Sequence, residues 1–299
     1  MITSHAGQQT HKALIGQTPL GPSRKRRDPT YFIKPLEMTD AQVREVIDAF
    51  VKAAEHSVKA GSDMVFVHAG GGDLLNQFIS PFFNVREDDW GGSDEKRFRI
   101  LREIIEKIRH TIDDRVPILV KMNCNDRTPK AGVTPELAKK YTAWLSEIGV
   151  DAVELTSGIK FYNHMNCWRG AVPVRESIRS FPLWKKGPGW LKMKLTMEGK
   201  YEFEEGWNLE DELHVKPAMG NMRSFFVGGL RRIDFMEEIV EKGYADFVCM
   251  GRPFIREPDL VKKFKEGKKQ ADCKSCNKCI GGVINQLPTA CYRNGLPLA

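Results

Sequence analysis

One local pattern constrains this chain more than any other. An amphipathic helical stretch, a glycine, an aspartate and a short apolar run follow one another, and the set recurs three times. Gly61-Ser62-Asp63 leads into Met64–Val67, Gly149-Val150-Asp151 into Ala152–Leu155, and Gly243-Tyr244-Ala245-Asp246 into Phe247–Met250. Glycine ends each helix because, lacking a Cβ, it enters the left-handed region without a clash. The apolar runs are continuous rather than alternating, which suits strands of a parallel sheet covered on both faces. Two more strands are predicted over Ile118–Met122 and Ser224–Val227.

The helices between them are legible. Thr39 and Gln42 have capping-box spacing, followed by Val43, Val46, Ile47, Phe50 and Ala54 at helical intervals. Phe98, Leu101, Ile104, Ile105, Ile108 and Ile112 mark a second helix. Thr134 caps a third with Pro135 at its first position, and Ile233, Met236, Ile239 and Val240 mark a fourth. Alternation this regular predicts an α/β fold, a (β/α)8 barrel.

The 299 residues suffice for one barrel over residues 1–268 with a cysteine-rich tail over 269–299. Residues 159–217 break the rhythm with four tryptophans (Trp168, Trp184, Trp190 and Trp207) and read as an excursion over the barrel mouth. No apolar run nears the roughly 20 residues that span a bilayer. The first residues lack the layout of a signal peptide, so the expected location is the cytoplasm, away from membranes. The formal charge is +7, yet the densest basic run, Arg24-Lys25-Arg26-Arg27, has no interleaved aromatic residues. It reads as a solvated loop, and no nucleic-acid partner is expected.

Four features carry chemistry. His68 closes the run Met64–Val67 and opens a glycine-rich loop, where a barrel keeps its functional groups. Taken alone, a histidine there is more often structural. Lys121 lies inside an apolar strand, which favours a polar mouth or a reach to solvent. Gly228 and Gly229 follow one strand, and Gly251 with Arg252 the next. Their backbone N–H groups and a guanidinium suit a phosphate, the alternative being ordinary turns. Cys273, Cys276 and Cys279 sit at three-residue intervals, with Cys291 further on. That spacing suits a [4Fe–4S] cluster better than zinc, while Cys124, Cys167 and Cys249 stand apart.

The stretch from His68 to Arg97, HAGGGDLLNQFISPFFNVREDDWGGSDEKR, closely resembles the Old Yellow Enzyme-like NADH:flavin oxidoreductases. The cysteine spacing is similar to that of their branch related to 2,4-dienoyl-CoA reductase and trimethylamine dehydrogenase. The resemblance implies FMN, with Lys121 at its pyrimidine ring and Gly228, Gly229, Gly251 and Arg252 at its phosphate. It implies NAD(P)H as donor and a small-molecule acceptor, an electrophilic alkene, oriented by His68. Gly71 stands where the family keeps a second donor, and Asp73 where it keeps a tyrosine acid. Asp73 is thus the candidate acid, although a free aspartate is ionised at neutral pH unless burial raises its pKa. Asn84, Arg86, Asp88, Gly91, Gly92, Ser93, Glu95 and Arg97 match as scaffold, with Arg86 and Asp88 expected to pair. His5 and Gly21 match the segment after the family's third strand, so the barrel is expected to be incomplete at its N-terminus. Two other readings stay open, an inactive or truncated fragment and an iron–sulfur electron-transfer subunit. A redox partner protein and a homo-oligomer are both expected as possible associations.

Overall fold

The strands form on the predicted apolar runs and continue past them. The computed structural model describes residues 1–25, 27, 33–160, 162 and 168–297. Arg26, Cys167 and part of the expected excursion lie outside the described residues. In chain order the strands are β1 (Ile2–Thr3), β2 (Leu20–Gly21), β3 (Leu36–Glu37), β4 (Val65–Ala69), β5 (Ile118–Asn125), β6 (Ala152–Ser157), β7 (Arg223–Val227) and β8 (Phe247–Cys249). β4, β5 and β6 take in His68, Asn123 and Thr156, polar residues that the apolar runs left out. Ladder hydrogen bonds are made by the backbone, so polar side chains at the loop end do not stop a strand.

β2 and β3 pair with each other, and the rest form one sheet in the order β1-β4-β5-β6-β7-β8. The register is parallel: Ile2 opposite Phe66, Val67 opposite Val120, Val120 opposite Val153, Val153 opposite Ser224. From β4 to β8 neighbours follow chain order without reversal. That is the winding of a barrel, whereas a doubly wound sheet switches direction at one strand. The fold is α/β, an open portion of a (β/α)8 barrel, with β1 and β8 at the sheet edges among the described residues.

Sequence chemistry sets the helices. Asp40–Lys59 starts at the predicted capping box, Thr39 Oγ1 accepting from Gln42 N (3.2 Å) and Gln42 Oε1 from Thr39 N (3.0 Å). Ser93 caps Asp94–Thr111 and Thr134 caps Pro135–Glu147. Gly61, Gly149 and Gly243 carry φ of +87°, +78° and +64°, the turn into each following strand. Val43, Ile47, Phe50, Leu101, Ile104, Ile108, Val65, Val67, Val120 and Val153 share one core. Each contributes on the order of 1.5–3 kcal/mol by leaving water. No described helix is long and apolar enough to cross a membrane.

The chain divides into two compact units. The first comprises Met1–Cys167, Asn208–Phe226 and Ala245–Phe247 and holds β4, β5 and β6. The second comprises Trp168–Trp207, Val227–Tyr244 and Val248–Ala299 and holds all four tail cysteines.

Candidate functional site

In the first unit the strand period of two separates Val65, Val67 and Ala69, which are buried, from Phe66 and His68 on the opposite face of β4. The register then puts His68 beside Lys121 and Lys121 beside Glu154, a cross-strand row of three ionisable residues. Lys121 Nζ hydrogen-bonds Glu154 Oε1, and Glu154 is buried. The cation expected at a flavin ring therefore already has a carboxylate beside it.

The loop after β4 is pinned by buried amides. Gly71 N donates to Asn123 Oδ1 (2.8 Å), Gly72 N to Asn76 Oδ1 (2.7 Å), and Gln77 Nε2 to the Gly72 carbonyl (2.7 Å). Gly71 and Gly72 have φ of +62° and +86°, a double left-handed turn that only glycine takes without strain. The turn delivers Asp73, 6% exposed, to His68. Asp73 Oδ2 lies 3.0 Å from His68 Nε2, accepts from Ser4 Oγ (3.1 Å), and meets Lys160 Nζ at 3.0 Å. Burial pushes the Asp73 carboxyl up, but the hydrogen bond from His68 and the charge of Lys160 outweigh it, and the net shift is downward. A carboxyl held ionised has no proton to give at neutral pH. In this arrangement Asp73 is the acceptor for the imidazole, a geometry that does not favour the acid role expected of it. Among the described residues His68 Nδ1, which is buried, has no hydrogen-bond partner.

The expected scaffold is in place. Arg86 Nη2 pairs with Asp88 Oδ2 at 2.5 Å, and its Nη1 donates to the carbonyls of Pro22 and Met38 (both 2.8 Å). Asn84 Nδ2 closes the loop on the carbonyls of Phe78 (2.8 Å) and Trp90 (2.7 Å).

The second unit carries the other expected residues. The Gly228 carbonyl accepts from Gly206 N (2.7 Å), and Gly229 turns with φ of +73°. A Cβ on Gly229 would lie 3.1 Å from the Glu204 carbonyl oxygen, so tight packing also explains that glycine. Gly251 caps the helix Arg252–Arg256, and a Cβ there would meet nothing within 4 Å. Arg252 Nη1 donates to the carbonyls of Trp168 (3.3 Å) and Arg169 (3.0 Å) and to Asn277 Oδ1. Burial pushes its pKa down, while the neighbouring thiols oppose that shift. Cys273, Cys276, Cys279 and Cys291 line one cavity of about 20 Å³, with Arg252 and Arg256 in its wall. Ser275 and Asn277, flanking Cys276, have φ of +49° and +56°, a strained conformation for residues with side chains. Asn277 Nδ2 holds the loop to the carbonyls of Trp168 (2.6 Å) and Ala171 (3.0 Å). Burial pushes the Cys279 thiol up, opposed by the Ile280 N–H and by Arg252. Among the described residues no three ligand side chains converge as on a single metal ion.

Sequence reasoning missed Glu154, Lys160, Ser4 and Arg231. Glu154 had the signal used for Lys121, a charge inside an apolar strand. Lys160 follows the Ser157-Gly158 strand end, a position as exposed to function as that after β4. Arg231 was a plain basic residue in sequence. Its guanidinium stacks 3.4 Å from the Phe203 ring centroid, and its buried Nε has no partner among the described residues.

An ionisable row at barrel strand ends beside a pinned glycine loop defines an enzyme-like site. The chain belongs to the NADH:flavin oxidoreductase / NADH oxidase family, whose sequence model matches residues 5–188 and 192–271. It is 34% identical over 283 residues to 4,4'-dithiodibutanoate disulfide reductase of Rhodococcus erythropolis, covering 92% of this chain and 69% of that protein. It is 32% identical over 301 positions to an NADH oxidase of Thermoanaerobacter brockii, covering 98% of this chain and 41% of that protein. The chain thus spans less than half of the second relative. In structure it matches a 2-naphthoyl-CoA reductase complex with TM-score 0.79 at 24% identity, over 97% of this chain and 42% of that one. At that identity the likeness shows the barrel fold.

Proposed function

We propose that this chain is an FMN-dependent NAD(P)H oxidoreductase that reduces an electrophilic small-molecule acceptor such as an activated alkene. The observation that carries this reading is His68, held through Nε2 by Asp73 while its buried Nδ1 has no partner among the described residues. A buried polar atom without a partner is costly unless a ligand completes it. When bound, FMN supplies the hydride drawn from NAD(P)H.

The rest of the chemistry belongs to the chain. His68 orients the acceptor through Nδ1, and in its doubly protonated form carries a proton there for the acceptor. Asp73 sets ring orientation and supports the imidazolium charge. In the first unit Lys121 and its partner Glu154 are the groups suited to a flavin's pyrimidine end. In the second unit the open Gly251 N-cap and the left-handed Gly229 suit a phosphate, and buried Arg231 is an added candidate. Arg252 is better placed for the thiols whose cavity it walls.

The four cysteines are proposed to hold a [4Fe–4S] cluster. The donor set fits, since a cubane takes one thiolate at each of four irons and so needs a ring of thiols rather than convergence on one point. The left-handed Ser275 and Asn277 support this, because strained backbone clusters where a loop must wrap a ligand. Electrons for the cluster would come from a redox partner or from the flavin.

The test is the absorbance spectrum of anaerobically purified protein. The expected result is bound FMN bleached by NADH or NADPH. Protein that takes up no FMN, or whose flavin neither nucleotide bleaches, contradicts the reading.

A further inference from the structure

We infer that the helix Leu183–Thr196 is a docking surface for an anionic lipid bilayer, lying on the membrane face rather than crossing it. The inference is independent of the oxidoreductase reading, and it departs from the expectation of a chain kept away from membranes.

None of the 14 residues of this helix is buried. Leu183, Trp184 and Leu195 are 85%, 74% and 72% exposed, and Leu191 is 51% exposed. At about 100° per residue, Trp184, Leu191 and Leu195 fall within about 40° of one another, one stripe along the helix. Single exposed apolar residues are ordinary, but a contiguous stripe marks an interaction surface. The other side of the helix is the one that packs. A Cβ on Gly189 would lie 2.9 Å from Phe181 Cε2 and 3.5 Å from Ile178 Cγ2. The stripe therefore points away from its own unit.

Charge is arranged round the stripe. No Asp or Glu occurs between Glu176 and Glu198, whereas Lys185, Lys186, Lys192 and Lys194 all fall in the helix. Lys185 and Lys192 lie along one edge of the stripe and Lys194 along the other, each about 80–100° away. Lys194 pairs with Glu198 where the helix ends (2.6 Å). Lys185 Nζ sits 4.7 Å from the Trp184 ring centroid, an ammonium against an indole. Apolar side chains set between long lysine stems match a bilayer interface. The apolar groups enter the acyl boundary, the indole takes the headgroup level, and the ammonium groups reach up to lipid phosphates.

Two other occupants fit less well. A second copy meeting this stripe across a two-fold axis would set lysine edges against lysine edges. A groove in a partner protein reads large anchors at i, i+3 or i+4, and i+7. After Trp184 the i+3 and i+4 positions are Gly187 and Pro188, which offer no such anchor. A fluid lipid surface needs none.

The test is co-sedimentation of the purified chain with vesicles of phosphatidylcholine alone, and of phosphatidylcholine with about one-third phosphatidylglycerol, at low and high salt. The anionic vesicles should bind at least about tenfold more tightly than the neutral ones, and salt of about 1 M should remove most of that difference. Tryptophan emission should shift to the blue on binding. Trp184→Ser combined with Leu195→Ser should weaken binding about tenfold or more, and Lys185→Gln combined with Lys192→Gln should abolish the anionic preference. All four side chains are exposed, so both variants should keep the parent's melting temperature. No sedimentation with either vesicle, equal sedimentation with both, or anionic binding that survives both variants would overturn the proposal. Self-association that Trp184→Ser with Leu195→Ser removes, without vesicle binding, would overturn it in favour of a second copy. Binding to polyglutamate as tight as to anionic vesicles would overturn it in favour of an acidic protein.

Discussion

The loop after β4 and the cysteine segment are both held by side-chain amides, yet they differ in how their backbones turn. In the first, Gly71 and Gly72 occupy the left-handed region, at no steric cost, and Asn123, Asn76 and Gln77 tie them down. In the second, Ser275 and Asn277 occupy it, at roughly 1 kcal/mol or more each. The thiols they present make few bonds; Arg256 Nη1 to Cys291 Sγ, at 3.8 Å, is a weak contact. The difference teaches that the His68 loop turns without steric cost, while the cysteine loop carries backbone strain that a cluster of the kind proposed would offset.

The largest effect should therefore fall on the cysteine loop. Cys276→Ser is expected to abolish cluster assembly, read as iron and acid-labile sulfide per chain. It should also lower thermal stability by several kcal/mol, since a ligand that binds only the folded state stabilises it. An unchanged melting temperature and iron content would erase the contrast between the loops.

Asp73→Ala comes next. It leaves the half-buried His68 Nε2 without its acceptor and the partly exposed Lys160 without its carboxylate, at about 1–3 kcal/mol by urea unfolding. Its pH dependence has a definite sign. The Asp73 pKa is depressed below its ordinary 3.8, so the stabilisation is present above that value and is lost as pH falls through the folded-state pKa. The gap between parent and variant should close in strong acid and stay open near neutrality.

Gly71→Ala is expected to be mildest, about 1–2 kcal/mol, because φ of +62° strains alanine and its methyl presses on Lys160 Cε. A neutral outcome would show that the loop is less pinned than its hydrogen bonds imply.

Much of this was legible in sequence for a physical reason. Strand–helix alternation, the Thr39 cap and the glycine turns are local signals, and each lies where periodicity placed it. The ends of β4, β5 and β6 were less legible, because polar residues can continue a backbone ladder while looking like loop. The site was half legible. His68 and Lys121 stood out, but their partners could not. Glu154 reaches Lys121 by sheet register, and Lys160 reaches Asp73 from 87 positions along the chain. The pKa of Asp73 depends on those partners, so its protonation could not be read from sequence alone. Arg252 shows the same limit, since its neighbours are carbonyls and thiols that only the fold brings to it.

The most direct test of the central claim is an anaerobic single turnover. FMN-loaded protein is reduced with one equivalent of NADH or NADPH and mixed with cinnamate or 2-cyclohexen-1-one, following flavin absorbance and analysing products by mass spectrometry. The account predicts flavin reoxidation matched by formation of the saturated product with at least one acceptor, and loss of that step in His68→Ala. Flavin that stays reduced with both acceptors, or reoxidises equally fast in His68→Ala, would contradict it.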